Sequence, residues 1–247
     1  MTRRADMRHT ALFHWVSAVN QPEAWVPIAA LVWAAMVLAG CGRPQTGSGG
    51  DVGDGRLFDG ETLGQWKATD FGGQGQVHIE DGAIIMEMGQ DMTGITWTGP
   101  VIRMNYEITC EAMRINGTDF FCGLTFPVSD KPCTLVLGGW GGSVCGLSNI
   151  DYYDAANNET THMMSFENNR WYAVRLRVTS NRIEAWVDGK PIVNIVLENR
   201  HIDIRSEVYL CQPLGFATWQ TAGAVRNIRM VGVPDEPVQP APDSFYM

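Results

Sequence analysis

From about residue 56 onward the chain alternates apolar and polar residues with a period of two, and it nowhere sustains the 3.6-residue apolar spacing of a helix. Residues 106–113, "YEITCEAM", set Tyr106, Ile108, Cys110 and Ala112 against Glu107, Thr109, Glu111 and Met113. Residues 171–178, "WYAVRLRV", set Tyr172, Val174, Leu176 and Val178 against a face carrying Arg175 and Arg177. Turn pairs punctuate these runs at Asp81-Gly82, Asn116-Gly117 and Asp188-Gly189, the last being the strongest hairpin signal in the chain. A strand patterned this way has one face to bury, so it must join a sheet that packs on another layer. The spacing predicts more than ten short strands in an all-β, antiparallel sandwich of the jelly-roll type. Asn116-Gly117 reads as a two-residue loop that sets Arg114 opposite Asp119.

The two ends do not share this pattern. Arg3, Arg4 and Arg8 precede an apolar run at 26–39, which is shorter than the roughly 20 residues of a membrane span. The run ends in Leu38-Ala39-Gly40-Cys41, which resembles the lipobox of bacterial lipoproteins. That resemblance implies a signal peptide over 1–40, acylation of Cys41 and a domain held outside the cytoplasm on the cell envelope. Residues 41–55 are Gly-rich and read as a flexible tether. Residues 56–232 form the sandwich domain, and the Pro-rich residues 233–247 read as a disordered tail.

Charge and cysteine usage narrow the function classes. The chain carries a formal net charge of −9. Its lysines are Lys67, Lys131 and Lys190, and no basic patch stands out, so nucleic acid is not an expected partner. Beyond Cys41 the cysteines are Cys110, Cys122, Cys133, Cys145 and Cys211, an odd set that leaves a thiol free in a monomer. They read either as small buried apolar side chains or as one disulfide with free partners. There is no Cys-x-x-Cys, and His78, His162 and His201 are the histidines beyond the signal segment, so no zinc site is expected. His78, alternating with Val77 and Ile79, reads as structural.

Four stretches carry a family resemblance. "LFDGETLGQW", "NYEITCEAMRINGTDF", "NRWYAVRLRVTSNRIEAWVDGKPIV" and "GFATWQTAGAVRNIRM" follow one another in the order seen in the 3-keto-disaccharide hydrolase domain family, which the region 56–232 resembles. The resemblance implies a concanavalin A-like sandwich of the lectin and glucanase kind, an envelope location, and binding or cleavage of carbohydrate. The segment 138–161, "GGWGGSVCGLSNIDYYDAANNETT", departs from it by being longer and richer in glycine.

Candidate chemistry gathers around that departure. An acid pair for glycoside hydrolysis stands about 5–5.5 Å apart in retaining enzymes and about 6.5–9.5 Å apart in inverting ones. Glu107 and Glu111 share a strand face, but they lie roughly 13 Å apart along it and read as a solvated surface. Gly141–Cys145 departs from the serine nucleophile elbow at its last position. The 3-keto chemistry that the resemblance implies needs less: one base to take the C2 proton, a group to hold the enolate oxygen and a proton for the leaving group. Asp119 is the first candidate base, with Asp151 and Glu159 behind it. Its alternative is a structural pairing with Arg114. Trp140, bracketed by glycines, is the candidate sugar platform, reading as an exposed residue on a strand, with Trp219, Tyr152 and Asn149 as further substrate contacts. Trp66, Trp171 and Trp186 read as core. Oxygen-bearing side chains between Asn149 and Thr161, among them Asp151, Asp154 and Glu159, present a calcium alternative, though not with EF-hand spacing. The leading reading is a lipid-anchored protein that binds and hydrolyses a glycoside, a 3-keto disaccharide in particular. Its rivals are a non-catalytic carbohydrate-binding module and a calcium-dependent structural or adhesive surface protein.

Overall fold

The computed structural model describes residues 54–235. The expected signal segment, Cys41 and nearly all of the tether and tail lie outside the described residues. In chain order the strands are β1 (Trp66–Ala68), β2 (Val77–Glu80), β3 (Ala83–Met86), β4 (Met92–Trp97), β5 (Tyr106–Gly117), β6 (Cys122–Val128) and β7 (Lys131–Gly139). There follow β8 (Val144–Ser148), β9 (His162–Met163), β10 (Trp171–Val178), β11 (Arg182–Val187), β12 (Lys190–Val196), β13 (Gly215–Trp219) and β14 (Thr221–Gly232). A single 3₁₀ turn, Ser206–Cys211, interrupts the β pattern among the described residues.

These strands form two seven-stranded sheets, ordered β1-β4-β13-β6-β7-β8-β9 and β12-β11-β10-β5-β14-β3-β2. Every described pairing of strands is antiparallel. The protein is therefore an antiparallel β-sandwich with jelly-roll, concanavalin A-like architecture. The alternation of β5 and β10 is realised: Tyr106, Ile108, Cys110, Tyr172, Val174 and Leu176 are buried in one core with Leu124, Phe126, Leu135 and Phe216 of the facing sheet. Each large apolar side chain so buried contributes about 1.5–3 kcal/mol relative to exposure. Hairpins form at Asp81-Gly82 and Asp188-Gly189, joining β2 to β3 and β11 to β12.

The opening motif "LFDGETLGQW" is an anchor. Asp59 Oδ1 accepts the Glu61 and Thr62 amides at 2.8 and 2.7 Å, which holds its carboxyl below the usual aspartate range. That loop returns the chain so that Trp66 Nε1 donates to Leu57 O at 2.9 Å. The Trp66 ring then lies 5.1 Å from Trp97 and 5.6 Å from Phe216, deep in the core.

Two expectations need correction. Asn116-Gly117 is a crossover between sheets, since β5 pairs with β10 and β14 while β6 pairs with β13 and β7. The same turn residues serve either purpose, and here Gly117 takes φ 108°, with no room for a Cβ beside Thr221. Arg114 consequently does not face Asp119: it donates to Asn168 Oδ1 (2.9 Å) and Phe166 O (2.6 Å). Trp171 and Trp186 are half-buried on the outer face of their sheet, because they share parity with the charged residues of β10 and β11. Arg226 covers Trp171 at 4.1 Å and Arg175 covers Trp186 at 3.7 Å, both cation–π contacts. Of the two readings of the cysteines the structure has the first: the five described ones are all free and buried, and no disulfide joins them.

Candidate functional site

The first sheet turns one face to the core and one outward. Cys133, Leu135 and Leu147 belong to the core, so Thr134 and Ser148, next to them in β7 and β8, project from the opposite face. That outer face forms the floor of a cleft of about 240 Å³. Its walls come from three connections. The β5–β6 crossover supplies Asp119 and Phe120, the β7–β8 turn supplies Trp140, and the connector 197–214 supplies Arg205, Glu207 and Val208. Trp219, at the end of β13, completes the lining.

Local backbone chemistry explains how Trp140 comes to stand there. The turn 140–142 runs through three residues of positive φ: Trp140 (50°), Gly141 (87°) and Gly142 (110°). Glycine takes such angles without a Cβ clash, and the two that follow Trp140 let the chain reverse within three residues. The ring is left 42% exposed at the cleft edge, in a turn between two strands and not on a strand as expected. The Gly141 amide donates to Asp119 Oδ2 at 3.1 Å, and the Phe120 amide to Asp119 Oδ1 at 2.8 Å. The Asp119 amide itself donates to Thr221 Oγ1 at 3.0 Å. Asp119 thus fastens the Trp140 turn to the crossover. A carboxylate offers about four acceptor sites, so two remain beyond these amides.

Of the residues expected to act, the structure brings Asp119, Trp140 and Trp219 into one cleft and sets Asp151, Glu159, Tyr152 and Asn149 apart from it. Asp151 Oδ1 accepts the His201 amide at 2.8 Å and its Oδ2 pairs with Arg200 at 2.7 Å. These contacts, the amide first, hold its carboxyl below the usual range. Glu159 pairs with the other Arg200 nitrogen. The two carboxylates pin the 149–161 loop to the connector. Asp154 is likewise paired with Arg205 at 3.2 Å. The acids of the loop are thus paired with arginines, and among the described residues no three His, Cys, Asp or Glu side chains converge as metal ligands. Tyr152 is 76% exposed and stacks on His201 at 4.1 Å. It lines a separate, polar depression of about 300 Å³ together with Asn149.

Sequence reasoning missed Arg205 and Glu207. They belong to an 18-residue connector between β12 and β13, which shows neither strand alternation nor helical period. The signal was its length, since unstructured connections beyond about 12–15 residues are uncommon and usually functional. Arg205 donates to a Glu207 oxygen and Ser206 Oγ to the other at 3.1 Å. Arg205 is the main cause of the lowered Glu207 pKa, so this acid stays ionised.

A family model described as the 3-keto-alpha-glucoside-1,2-lyase-like domain matches residues 53–231. No curated protein matches the chain significantly. Similar solved structures include the carbohydrate-binding module CBM66 from Bacillus subtilis, at 8% identity and TM-score 0.46 over 67% of this chain and 94% of that one. Another is SCLam, a non-specific endo-beta-1,3(4)-glucanase of family GH16, at 8% identity and TM-score 0.47 over 69% and 85%. A third is a protein of unknown function with a galectin-like fold from Bacillus subtilis, at 11% identity and TM-score 0.44 over 70% and 91%.

Proposed function

The chain belongs to the 3-keto-alpha-glucoside-1,2-lyase-like domain family, and from that premise we propose that it binds a glycoside already oxidised at C3 and cleaves its glycosidic bond. The observation that carries the proposal is the meeting of the Asp119 carboxylate with two indoles, Trp140 and Trp219, in a single cleft. The indoles cover the C–H faces of a sugar ring. The C3 ketone acidifies the proton on C2. Asp119 takes that proton, and the C–H electron pair forms an enolate on the C3 oxygen. The enolate collapses, the C1–O bond breaks, and the leaving oxygen departs as an alcohol once it gains a proton. The ring is left with a C1–C2 double bond beside the ketone, and water added across it completes net hydrolysis. Glu207, held ionised by Arg205, serves as an acceptor for sugar hydroxyls and not as the acid. Part of the proposal is location: the domain is held on the outside of a bacterial cell envelope through a lipid on Cys41.

A second reading, a module that binds sugar without cleaving it, draws on one observation. Both Asp119 oxygens already accept backbone amides, as those of a purely structural aspartate do. The test separates the two. Purified protein is given a 3-keto disaccharide and its unoxidised parent, and the keto sugar is expected to be cleaved faster. Asp119→Asn removes the base and should lower that rate roughly 10²–10⁴-fold. Because it also sets an NH₂ group against one of the two backbone amides and loosens the Trp140 turn, a loss in kcat larger than the loss in binding marks the base. Cleavage of neither sugar, together with binding that Trp140→Ala abolishes, would establish the binding module instead.

A further inference from the structure

The floor of the Trp140 cleft carries a row of hydroxyls. Thr125 of β6 faces Thr134 of β7, and Thr134 faces Ser148 of β8, as direct register partners. Residues opposite one another in neighbouring strands share a face of the sheet, so all three project from the outer face that floors the cleft. Their surroundings differ. Thr134 and Ser148 line the cleft. Thr125 is sealed from solvent. Its other register partner is Gly215, against which the Cys211 turn is seated.

These surroundings decide where the hydroxyl protons go. Thr125 Oγ1 and Thr134 Oγ1 are 3.0 Å apart, a hydrogen bond in which one of the two donates. A buried donor left without an acceptor costs about 1–3 kcal/mol. Thr125 does not open on the cleft, so its proton goes to Thr134 Oγ1. Thr134 does open on it, so its own proton points into the cleft. Ser148 differs, because its Oγ donates to Asn149 Oδ1 at 3.1 Å. Thr134 is thus the floor hydroxyl that donates to a ligand, and the proton it accepts from Thr125 strengthens it as a donor. On the walls, Phe120 and Val208 have no side-chain donor, and the Arg205 Nη atoms bond Asp154 and Glu207.

We propose that Thr134 is a further catalytic residue, whose hydroxyl holds the C3 oxygen of the bound sugar while that oxygen is an enolate. This role rests on the elimination proposed above, which needs such a group. When Asp119 takes the C2 proton, the C–H electron pair forms the C2–C3 double bond and the negative charge moves to the C3 oxygen. Thr134 donates to that oxygen throughout and keeps its proton. Its bond to the oxygen tightens as charge develops. On collapse the C3 ketone re-forms, the electron pair moves to C1–C2 and the C1–O bond breaks. Thr134 lies within β7, between the core residues Cys133 and Leu135. A donor fixed in this way, aimed where charge develops, needs no reorganisation during the reaction.

The test is kinetic and uses the 3-keto disaccharide. Thr134→Val has nearly the same shape, suits a strand and removes the hydroxyl. It should lower kcat roughly 10²–10³-fold, the loss that follows removal of one oxyanion donor, with KM little changed. Thr134→Ser keeps the donor and should retain most of the parent kcat. Thr125→Val leaves the Thr134 donor in place without its partner and should lose less than Thr134→Val. Each valine variant gives up one buried hydrogen bond, about 0.5–1.5 kcal/mol, so both should fold, which calorimetry checks. Cleavage by Thr134→Val at the parent kcat, or a loss confined to KM, would overturn the role of Thr134 and leave the reaction standing. A Thr134→Ser variant as slow as Thr134→Val would overturn it too, since the loss would then belong to packing. A parent protein that cleaves no 3-keto sugar overturns the elimination itself, and the role of Thr134 with it.

Discussion

At the residue scale, the cysteines state what the interior does to a polar group. Cys110, Cys133 and Cys211 are each pushed up to about 12 and Cys145 to about 11, burial being the first cause in every case. Cys122 is raised in the same direction for the same reason. An unfolded thiol ionises near its ordinary value of about 8.5. Below that pH both states hold the proton and the contribution to stability is complete. Above it the unfolded chain releases protons that the folded chain retains, so stability falls by about 1.4 kcal/mol per pH unit per thiol until the folded thiols ionise too. The melting temperature should therefore decline steadily from about pH 9 to 12. At pH 8 iodoacetamide should label none of these five thiols until the protein is unfolded; labelling of the native protein would show that the core opens. The free state of these thiols was one of two readings the sequence left open, since spacing along the chain says nothing of whether Sγ atoms meet. Arg200 illustrates the same limit. It lies 49 positions from Asp151, so the acids of the 149–161 loop looked available until their partner was seen.

At the element scale, the site depends on a short 3₁₀ turn seated against a strand. Gly215 opens β13, and a Cβ there would come within 2.6 Å of Cys211 O and 2.7 Å of Ile95 O. Both are backbone atoms, so the turn Ser206–Cys211 would have to move away from the sheet. Gly215→Ala should cost about 1–3 kcal/mol as an overpacked contact, or several degrees in Tm. Because Glu207 and Val208 lie on that turn and line the cleft, sugar binding should weaken as well. Differential scanning calorimetry and a binding titration check the two effects; a variant with unchanged Tm would show that the turn is not held at Gly215. The long strands around this turn were legible because a period of two in β5 and β10 has one structural meaning when both faces of the pattern are strong. The turn was not legible, for six residues are too few to establish a period. The Asn116-Gly117 reading failed at this scale too. Its residues specify how the backbone bends there, while the sheet that the next strand joins is decided by what Cys122, Leu124 and Phe126 bury against.

At the scale of the whole molecule, the described body is tied together at both of its ends. Met230 N donates to Gly55 O at 2.7 Å and Leu57 N to Ile228 O at 2.9 Å, so the first described residues run beside β14. Asp235 accepts from the Ser180 amide and hydroxyl. These bonds close the described sandwich at its two ends, and a sequence that alternates so regularly made that fold readable in advance. The cleft was half readable, because Trp140 and Asp119 advertise themselves by glycine neighbours and by a turn, whereas the Arg205–Glu207 pair acquires meaning only beside them in space. Leu38-Ala39-Gly40-Cys41 lies before the described residues, and the lipid anchor proposed for Cys41 gives that motif a role outside the sandwich. With that proposed anchor in place, the residues between Cys41 and Asp54 would span at most about 3.5 Å each, and the cleft would stay near the membrane surface. Replacing the thiol by a hydroxyl removes the proposed acceptor for the lipid and substitutes no residue of the sandwich. Cys41→Ser should therefore lose lipid labelling, accumulate as unprocessed precursor, and still melt at the temperature of the lipidated protein with its sugar binding intact. Labelling that persists in the variant would refute the anchor; a lowered melting temperature would mean that the segment around Cys41 supports the fold after all.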